Sequence, residues 1–407
     1  MDSFAEALRA LMHERDISGR ALASLVPCDK GHLSRMTRGL RRPSKGLAAR
    51  LDELLEAGGG LAALVPPARP PRAASRPDRR AVLARGAVSL LGLPDALDRL
   101  AWAERNPPRL DAAAVAALAD VLAGQRRADD MLGSAVIMLP ALAQLATIES
   151  LVRRAGGAAR RPLLDVAQQQ AQFTAWLCRN TADPAGAATR HGQTLEWAAE
   201  LGDRTMIAQA LTDKAEMAAY QGEAGVAVGL AQAAQRDPRA AAGQRAMAAM
   251  FEARGHAMTG DRAAAERTLN EGRRLAAAFA DRPADKRPWS YWMAPAYFRN
   301  HAGITCAYLA ADPRWHAHAV ALLADDATAP GLWAPAQNLA YLAYAHAQAR
   351  DVTEACAAAL KAMDAARLAG SARLTPVLAQ VHAALRARYP GNAQVAELAQ
   401  AIRSDPA

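Results

Sequence analysis

Four times in this chain a small residue is followed twelve positions later by another, with an acidic turn between them. The pairs are Ala175/Ala187, Ala215/Ala227, Ala253/Ala265 and Ala343/Ala355, and the turns fall at Asp183, Gly222-Glu223, Gly260-Asp261 and Arg350-Asp351. Few folds accommodate that layout. Twelve residues cover the end of one helix, a chain reversal and the start of the next, so the two alanines face each other across an antiparallel pair whose axes approach closely. Composition agrees: 52% of the 407 residues are hydrophobic but only 5% are aromatic, because much of the apolar content is alanine. Alanine is the best helix former and a poor strand former. The expected class is all-α, with helix following helix from residue 81 onward and Gly, Asp or Pro at the breaks. Residues 81–160 are expected to be helical without an assignable register.

The first 65 residues read as five short helices. Ser3 and Glu6 form a capping-box pattern ahead of Phe4, Leu8, Leu11 and Met12, which share one helical face. Ser18 opens a second helix carrying Leu22, Leu25 and Val26. Asp29 opens a third with Leu33 and Met36 inward and Gly39 at its end. Ser44 opens a fourth with Leu47, Leu51, Leu54 and Leu55, and a last turn after Gly58-Gly59-Gly60 carries Leu61, Leu64 and Val65. Residues 66–80, "PPARPPRAASRPDRR", read as a basic, semi-extended proline-rich linker.

Charge is distributed unevenly. The formal net charge is +9, which favours an acidic partner. From Lys30 to Arg50 the chain carries Lys30, Arg35, Arg38, Arg41, Arg42, Lys45 and Arg50 with no Asp or Glu. An acid there would be repelled by the phosphates of nucleic acid or of an anionic membrane, and charge alone does not choose between the two.

The segment 18–39, "SGRALASLVPCDKGHLSRMTRG", resembles the helix-turn-helix of the phage-repressor (Xre/Cro) class through Leu22-Ala23, Leu33, Ser34-Arg35 and the closing Gly39. The resemblance implies a five-helix, lambda-repressor-like domain at 1–65 that places its third helix in the major groove of an operator. Lys30, Gly31, His32, Ser34 and Arg35 are then expected at base edges, and Arg38, Arg41 and Arg42 at phosphates. Pro27 stands where family members carry glycine in the turn. Gly19 stands where many carry a phosphate-fixing Gln, a role Arg20 is expected to take.

The alanine pairs resemble tetratricopeptide repeats, which pair small residues around a Gly-Asp turn. Here the first copies start 40 and 38 residues apart rather than about 34, and the unit around Asp312 is irregular. The resemblance implies an α-solenoid of helical hairpins over 81–404, serving as a sensor or dimerisation domain.

Other chemistry leaves little trace. There is no GxSxG, P-loop or GxGxxG pattern, so no catalytic residue, cofactor or enzymatic activity is expected. Cys28, Cys178, Cys306 and Cys356 are dispersed, and His316 and His318 lie two apart on different helical faces, so no metal site is expected. No secretory signal is visible and no apolar run reaches the length of a membrane span, so a cytoplasmic protein is expected. "RPWSYWMAPAYFRNHAG" (287–303) concentrates Trp289, Tyr291, Trp292, Tyr297 and Phe298 beside Arg299 and Asn300. Aromatic walls with few polar groups suit a small ligand or peptide, and Trp292, Arg299, Asn300 and Asn338 are the expected contacts. Gln168, Gln169, Gln170 and Gln172 read as a solvated helix face.

Together these features lead to a cytoplasmic transcriptional regulator of bacterial type. It binds a double-stranded DNA operator as a homodimer and responds to a small-molecule or peptide effector. The competing expectation is a DNA-tethered protein-interaction scaffold with no small-molecule ligand.

Overall fold

A computed structural model describes residues 4–19, 21–22, 30–39, 43, 45–65, 111–282, 285–324 and 333–404, with the backbone alone at 30–32, 45–46 and 333. Every regular element among them is helical. The chain divides into two units, Met1–Pro77 and Asp78–Ala407. The linker read at 66–80, the helices expected up to residue 110, and the caps expected from Ser3, Asp29 and Ser44 lie outside the described residues.

In the first unit the helices are α1 (Phe4–Glu14), α2 (Lys30–Thr37), α3 (Lys45–Leu54) and α4 (Gly60–Ala63). Residues 19, 21 and 22 are also helical, and Ser18 Oγ accepts the Ala21 N–H at 3.2 Å. Leu8, Leu22, Leu33, Met36, Leu51, Leu55 and Leu61 form one core. Each fully buried side chain of this size contributes roughly 1.5–3 kcal/mol. Leu64 departs from expectation: it is exposed, because α4 is a single turn that ends at Ala63. Asp52 was not singled out from the sequence, yet its buried carboxylate accepts the N–H groups of Gly59 at 2.6 Å and Ala62 at 2.8 Å. Burial raises its pKa, but these backbone donors outweigh that and hold it below the usual carboxylate range.

The second unit begins with α5 (Ala112–Leu132) and α6 (Ser134–Arg154), then α7 (Arg160–Asn180), α8 (Pro184–Leu201), α9 (Arg204–Tyr220) and α10 (Ala224–Gln235). It continues with α11 (Ala242–Met258), α12 (Arg262–Ala280), α13 (Pro295–Tyr308), α14 (Pro313–Leu323), α15 (Trp333–Gln348), α16 (Val352–Ala369), α17 (Thr375–Arg388) and α18 (Ala393–Ser404). Successive helices pair as hairpins, and α9, α11, α13, α15 and α17 each pack on the next first helix in that series. This is the expected α-solenoid.

The alanine pairs account for its hairpins: all eight alanines are 0% exposed. The turns between them share one geometry. Seven residues after the first alanine sits a left-handed residue, in turn Ala182, Gly222, Gly260 and Arg350. The acid that follows donates its N–H to a carbonyl five residues back: Asp183 to Cys178 (2.8 Å), Glu223 to Ala218, Asp261 to His256 and Asp351 to His346 (each 2.9 Å). Asp183, Asp261 and Asp351 also cap the second helix by accepting the N–H of Gly186, Ala264 and Glu354. The α13–α14 turn differs: Asp312 bonds Leu309, three residues back.

Two expectations are corrected. Gln168 and Gln170 are 0% exposed, not solvated. Consecutive helical positions turn by about 100°, so glutamines at 168–172 cannot share one face, and α7 is covered by neighbours on several sides. Gln168 instead donates to Asp165 and Asp203, and Gln170 to Gln125 and the Ala141 carbonyl. Second, α6 is long and apolar enough by length and composition to cross a membrane, with 44% of that window buried in the fold. Leu145, Ile148 and Leu151 are among its buried residues.

The unit also departs from a solenoid in which repeats touch only their neighbours. The turn after α16 returns to its beginning: Ala372 N–H donates to the Asn180 carbonyl at 2.9 Å. A Cβ placed on Gly133 would stand 2.6 Å from the Ala369 carbonyl oxygen. That contact leaves room for glycine alone at the α5–α6 junction.

Candidate functional site

In the first unit, α2 is fixed from one side by Leu33 and Met36, which enter the core. The opposite side presents Arg35, exposed, and Ser34, half-buried. Lys30, Gly31 and His32 form the first turn of α2, so the backbone of all five expected base-edge residues lies on this one helix. Arg38 is exposed and folds back along the helix, donating Nε–H to the Ser34 carbonyl at 3.1 Å and Nη2–H to Ser34 Oγ at 2.9 Å. Sequence reasoning missed that tie, although the i, i+4 spacing of Ser34 and Arg38 permits it. Arg20, Arg41 and Arg42 lie outside the described residues. The basic stretch ends where Arg50 pairs with Glu53 at 2.5 Å.

The four expected ligand contacts are not brought into one pocket. Trp292 lines a narrow cavity of about 60 Å³ walled by α5, α7, α9 and residues 289–297. Arg299 lines a different cavity of about 570 Å³ between α12, residues 286–295 and α13. Asn300 and Asn338 are buried within the unit, and Asn300 Oδ1 and both amide atoms of Asn338 make no hydrogen bond.

The narrow cavity carries four carboxylates, two guanidiniums and six aromatic rings. Asp129 accepts from Ser134 Oγ at 2.6 Å and Trp176 Nε1 at 2.9 Å. Asp213 accepts from Gln172 at 3.1 Å and Gln209 at 2.8 Å. Glu216 is ion-paired with Arg179, whose guanidinium stands 5.0 Å from the Trp176 ring centroid. Burial pushes Asp213 up to about 6 in spite of the Arg179 charge. Burial acts on Glu216 in the same direction, but its direct pairing with Arg179 holds it below the ordinary range. Burial also brings Arg126 down to about 10. Trp289, Tyr291, Trp292 and Tyr297 come from the aromatic stretch read as a ligand wall, whereas the carboxylates and guanidiniums of this cavity were not expected from sequence.

Deeper in the unit, Arg254 is enclosed by tyrosines. Its guanidinium lies 4.7 Å from the Tyr220 ring, 5.0 Å from Tyr341 and 5.4 Å from Tyr308, and donates to the hydroxyls of Tyr308 and Tyr341. Such stacking stabilises a buried guanidinium, and the Arg254 charge also helps hold Glu216 below the ordinary range. His316 Nε2 lies 3.1 Å from His346 Nδ1, and no group of three or more His, Cys, Asp or Glu among the described residues is arranged to hold a metal ion.

A family model described as a helix-turn-helix domain matches residues 3–65. No curated protein matches the chain. The match covers the unit in which a core-anchored helix turns its basic face outward. Residues 3–65 are a helix-turn-helix DNA-binding domain, joined in this chain to a second unit of stacked helical hairpins.

Proposed function

We propose that the chain is a sequence-specific transcriptional regulator of the Xre type, cytoplasmic and bacterial, acting as a homodimer on an operator. In this reading the tetratricopeptide-like unit dimerises the protein and senses a small ligand or peptide. One observation carries the proposal: α2 and the turn that follows it expose Arg35 and Arg38 within a stretch that has no carboxylate from Lys30 to Arg50. A helix with that charge is suited to the major groove, where Arg and Lys donate to guanine O6 and N7.

Dimerisation follows from size. One such module buries only about 600–1,000 Å² on DNA, too little for strong selectivity, whereas two modules read two half-sites. The second unit offers a surface for pairing at the α5–α6 junction, where Met131, Leu132, Val136 and Leu139 are exposed. The sensing role is supported by the two cavities of the hairpin unit, which combine aromatic or apolar walls with charged side chains.

The test is selection of bound sequences from random duplex DNA by the full-length protein, followed by sedimentation of the complex. A regulator enriches a defined site with two half-sites about one helical turn apart, or a multiple of it, and binds it as a dimer. Recovery of unselected DNA would support the tethered scaffold instead.

A further inference from the structure

The narrow cavity holds charges of both signs that share its wall without pairing. Of its four carboxylates only Glu216 is paired with a guanidinium, that of Arg179. The other three take hydrogen bonds from neutral groups: Asp129 from Ser134 and Trp176, Asp130 from Tyr291, and Asp213 from Gln172 and Gln209. His191, 3.8 Å from Asp213, is itself kept neutral by burial. Arg126 lines the same cavity and is paired with none of these acids. It donates to the Gln169 side chain and carbonyl at a long 3.4 Å each, and its guanidinium stands 5.9 Å from the Phe173 ring. Burial raises the pKa of Asp129 and Asp130 as it does that of Asp213, and lowers that of Arg126. The protein's own contacts therefore do not offset the hydration these groups have lost.

We propose that this cavity binds a small free α-amino acid, its ammonium among Asp129, Asp130 and Asp213 and its carboxylate on Arg126. The proposal rests on the reading of the hairpin unit as an effector domain and names the chemistry of that effector. A ligand carrying both signs pairs the two sets of charges at once, which neither an amine nor an acid alone can do. An ammonium brings three N–H donors to carboxylates that have lone pairs to spare, and a guanidinium fork takes a carboxylate in a bidentate fashion. The aromatic rings suit the ammonium as well: Trp176 already carries the guanidiniums of Arg179 and Arg373, each 5.0 Å from its centroid. Size narrows the choice. One water needs roughly 10–15 Å³ of such space, so a cavity of about 60 Å³ takes a molecule of the size of glycine or alanine. Arg126, Asp129 and Asp130 belong to α5 and Asp213 to α9, so a ligand seated there ties together helices of different hairpins.

Calorimetry on the full-length protein tests this with glycine, L-alanine and L-leucine. Ethylamine and propionate, which are alanine without its carboxylate and without its ammonium, serve as the single-charge controls. Each control should bind about tenfold or more weakly than alanine, and leucine should be excluded by size. Arg126→Gln and Asp130→Asn should each weaken alanine binding by about tenfold or more. Both variants keep an amide for the native neighbour, Gln169 or Tyr291, so the fold is spared. Arg126→Gln should remove the advantage of alanine over ethylamine, and Asp130→Asn should narrow its advantage over propionate, a division that general loosening of the fold would not produce. The site is overturned if neither glycine nor alanine binds, if ethylamine or propionate binds as tightly as alanine, or if both variants keep wild-type affinity for alanine. A protein that binds alanine as expected but shows no change in affinity for its selected DNA site keeps this cavity and loses the effector reading.

Discussion

Tyr291 donates its hydroxyl to the Asp130 carboxylate at 2.7 Å, joining α5 to a segment 161 residues later in the chain. Tyr291 also borders both cavities, so this one bond holds the wall they share. Tyr291→Phe keeps the ring and removes the bond. A hydrogen bond to a charged acceptor contributes about 1.5–3 kcal/mol, and one open to water contributes less. The variant is expected to lose about 1 kcal/mol of stability and to exchange the amide hydrogens of 285–294 faster than wild type. Unchanged exchange across that segment would show that the bond does not hold it.

The hairpin turns lead to a second prediction. Arg350 (φ +69°) and Ala182 (φ +57°) occupy the left-handed position that Gly222 and Gly260 fill in the other two regular turns. A side chain there costs about 1–2 kcal/mol, offset in part by the greater unfolded-state freedom of glycine. Arg350→Gly is therefore expected to stabilise the protein by up to about 1 kcal/mol. Gly260→Ala is expected to destabilise it by a similar amount through strain alone, since nothing lies within 4 Å of the added Cβ. Urea midpoints should shift in opposite directions at constant m.

Those turns also show why the fold was easier to read than the sites. A hairpin leaves a local signature: two alanines twelve apart, an acid between them, and a reversal that few residues tolerate. The cavity walls depend on long-range packing, and their signature is weaker. It does exist, in the residues two before and one after each first alanine: Phe173 and Trp176, Asp213 and Glu216, Phe251 and Arg254, Tyr341 and Tyr344. Four of these eight line the narrow cavity, a fifth is Arg254 itself, and Tyr341 stacks on it. Phe173, Trp176, Phe251, Tyr341 and Tyr344 would be taken for core by residue type. The buried charges Asp213, Glu216 and Arg254 look like surface residues until their partners on neighbouring hairpins are known. The glutamines of α7 misled for the same reason: polarity predicts exposure only where no buried partner is available.

Those buried groups make stability depend on pH. Burial brings His191 and His301 down to about 3 from an ordinary 6.5. A histidine kept neutral by the fold contributes stability that is fully present above pH 6.5 and lost as pH falls toward 3. Asp213 works in the opposite direction. With its pKa raised from 3.8 to about 6, it penalises the folded state at neutral pH, and the penalty fades as pH falls through that interval. Arg179 and Glu216 face this group, as does His191, whose Nδ1 lies 3.8 Å from the Asp213 carboxylate. Between about pH 6 and about pH 4, unfolding thus binds two histidine protons and releases one from Asp213. Stability should fall by about 1.4 kcal/mol per pH unit for that net proton. Urea unfolding followed across this range measures the slope. In a His191→Gln, His301→Gln double variant only the Asp213 proton remains in this count, so the slope should reverse.

The DNA-binding residues are expected to divide by role. Lys30→Ala and Arg35→Ala should each cost about 1–3 kcal/mol on the preferred site and relax base preference, as base contacts do. Arg41→Ala and Arg42→Ala should weaken binding to all sequences alike and make the salt slope shallower by about 1. Arg38 is the informative case. Two of its donors are already engaged with Ser34, so its fork is anchored to its own helix and the remaining N–H groups are left for a fixed neighbour. A phosphate suits that geometry better than a base edge, because an arginine reading guanine must extend away from the helix. Arg38→Ala should therefore behave like Arg41→Ala, with uniform loss and a shallower salt slope. Ser34→Ala keeps the charge and removes only the Oγ anchor, so it should leave the salt slope unchanged. Salt titrations of the variants on the selected site and on random DNA make the comparison. A loss of base preference in Arg38→Ala with an unchanged slope would place Arg38 in the groove instead.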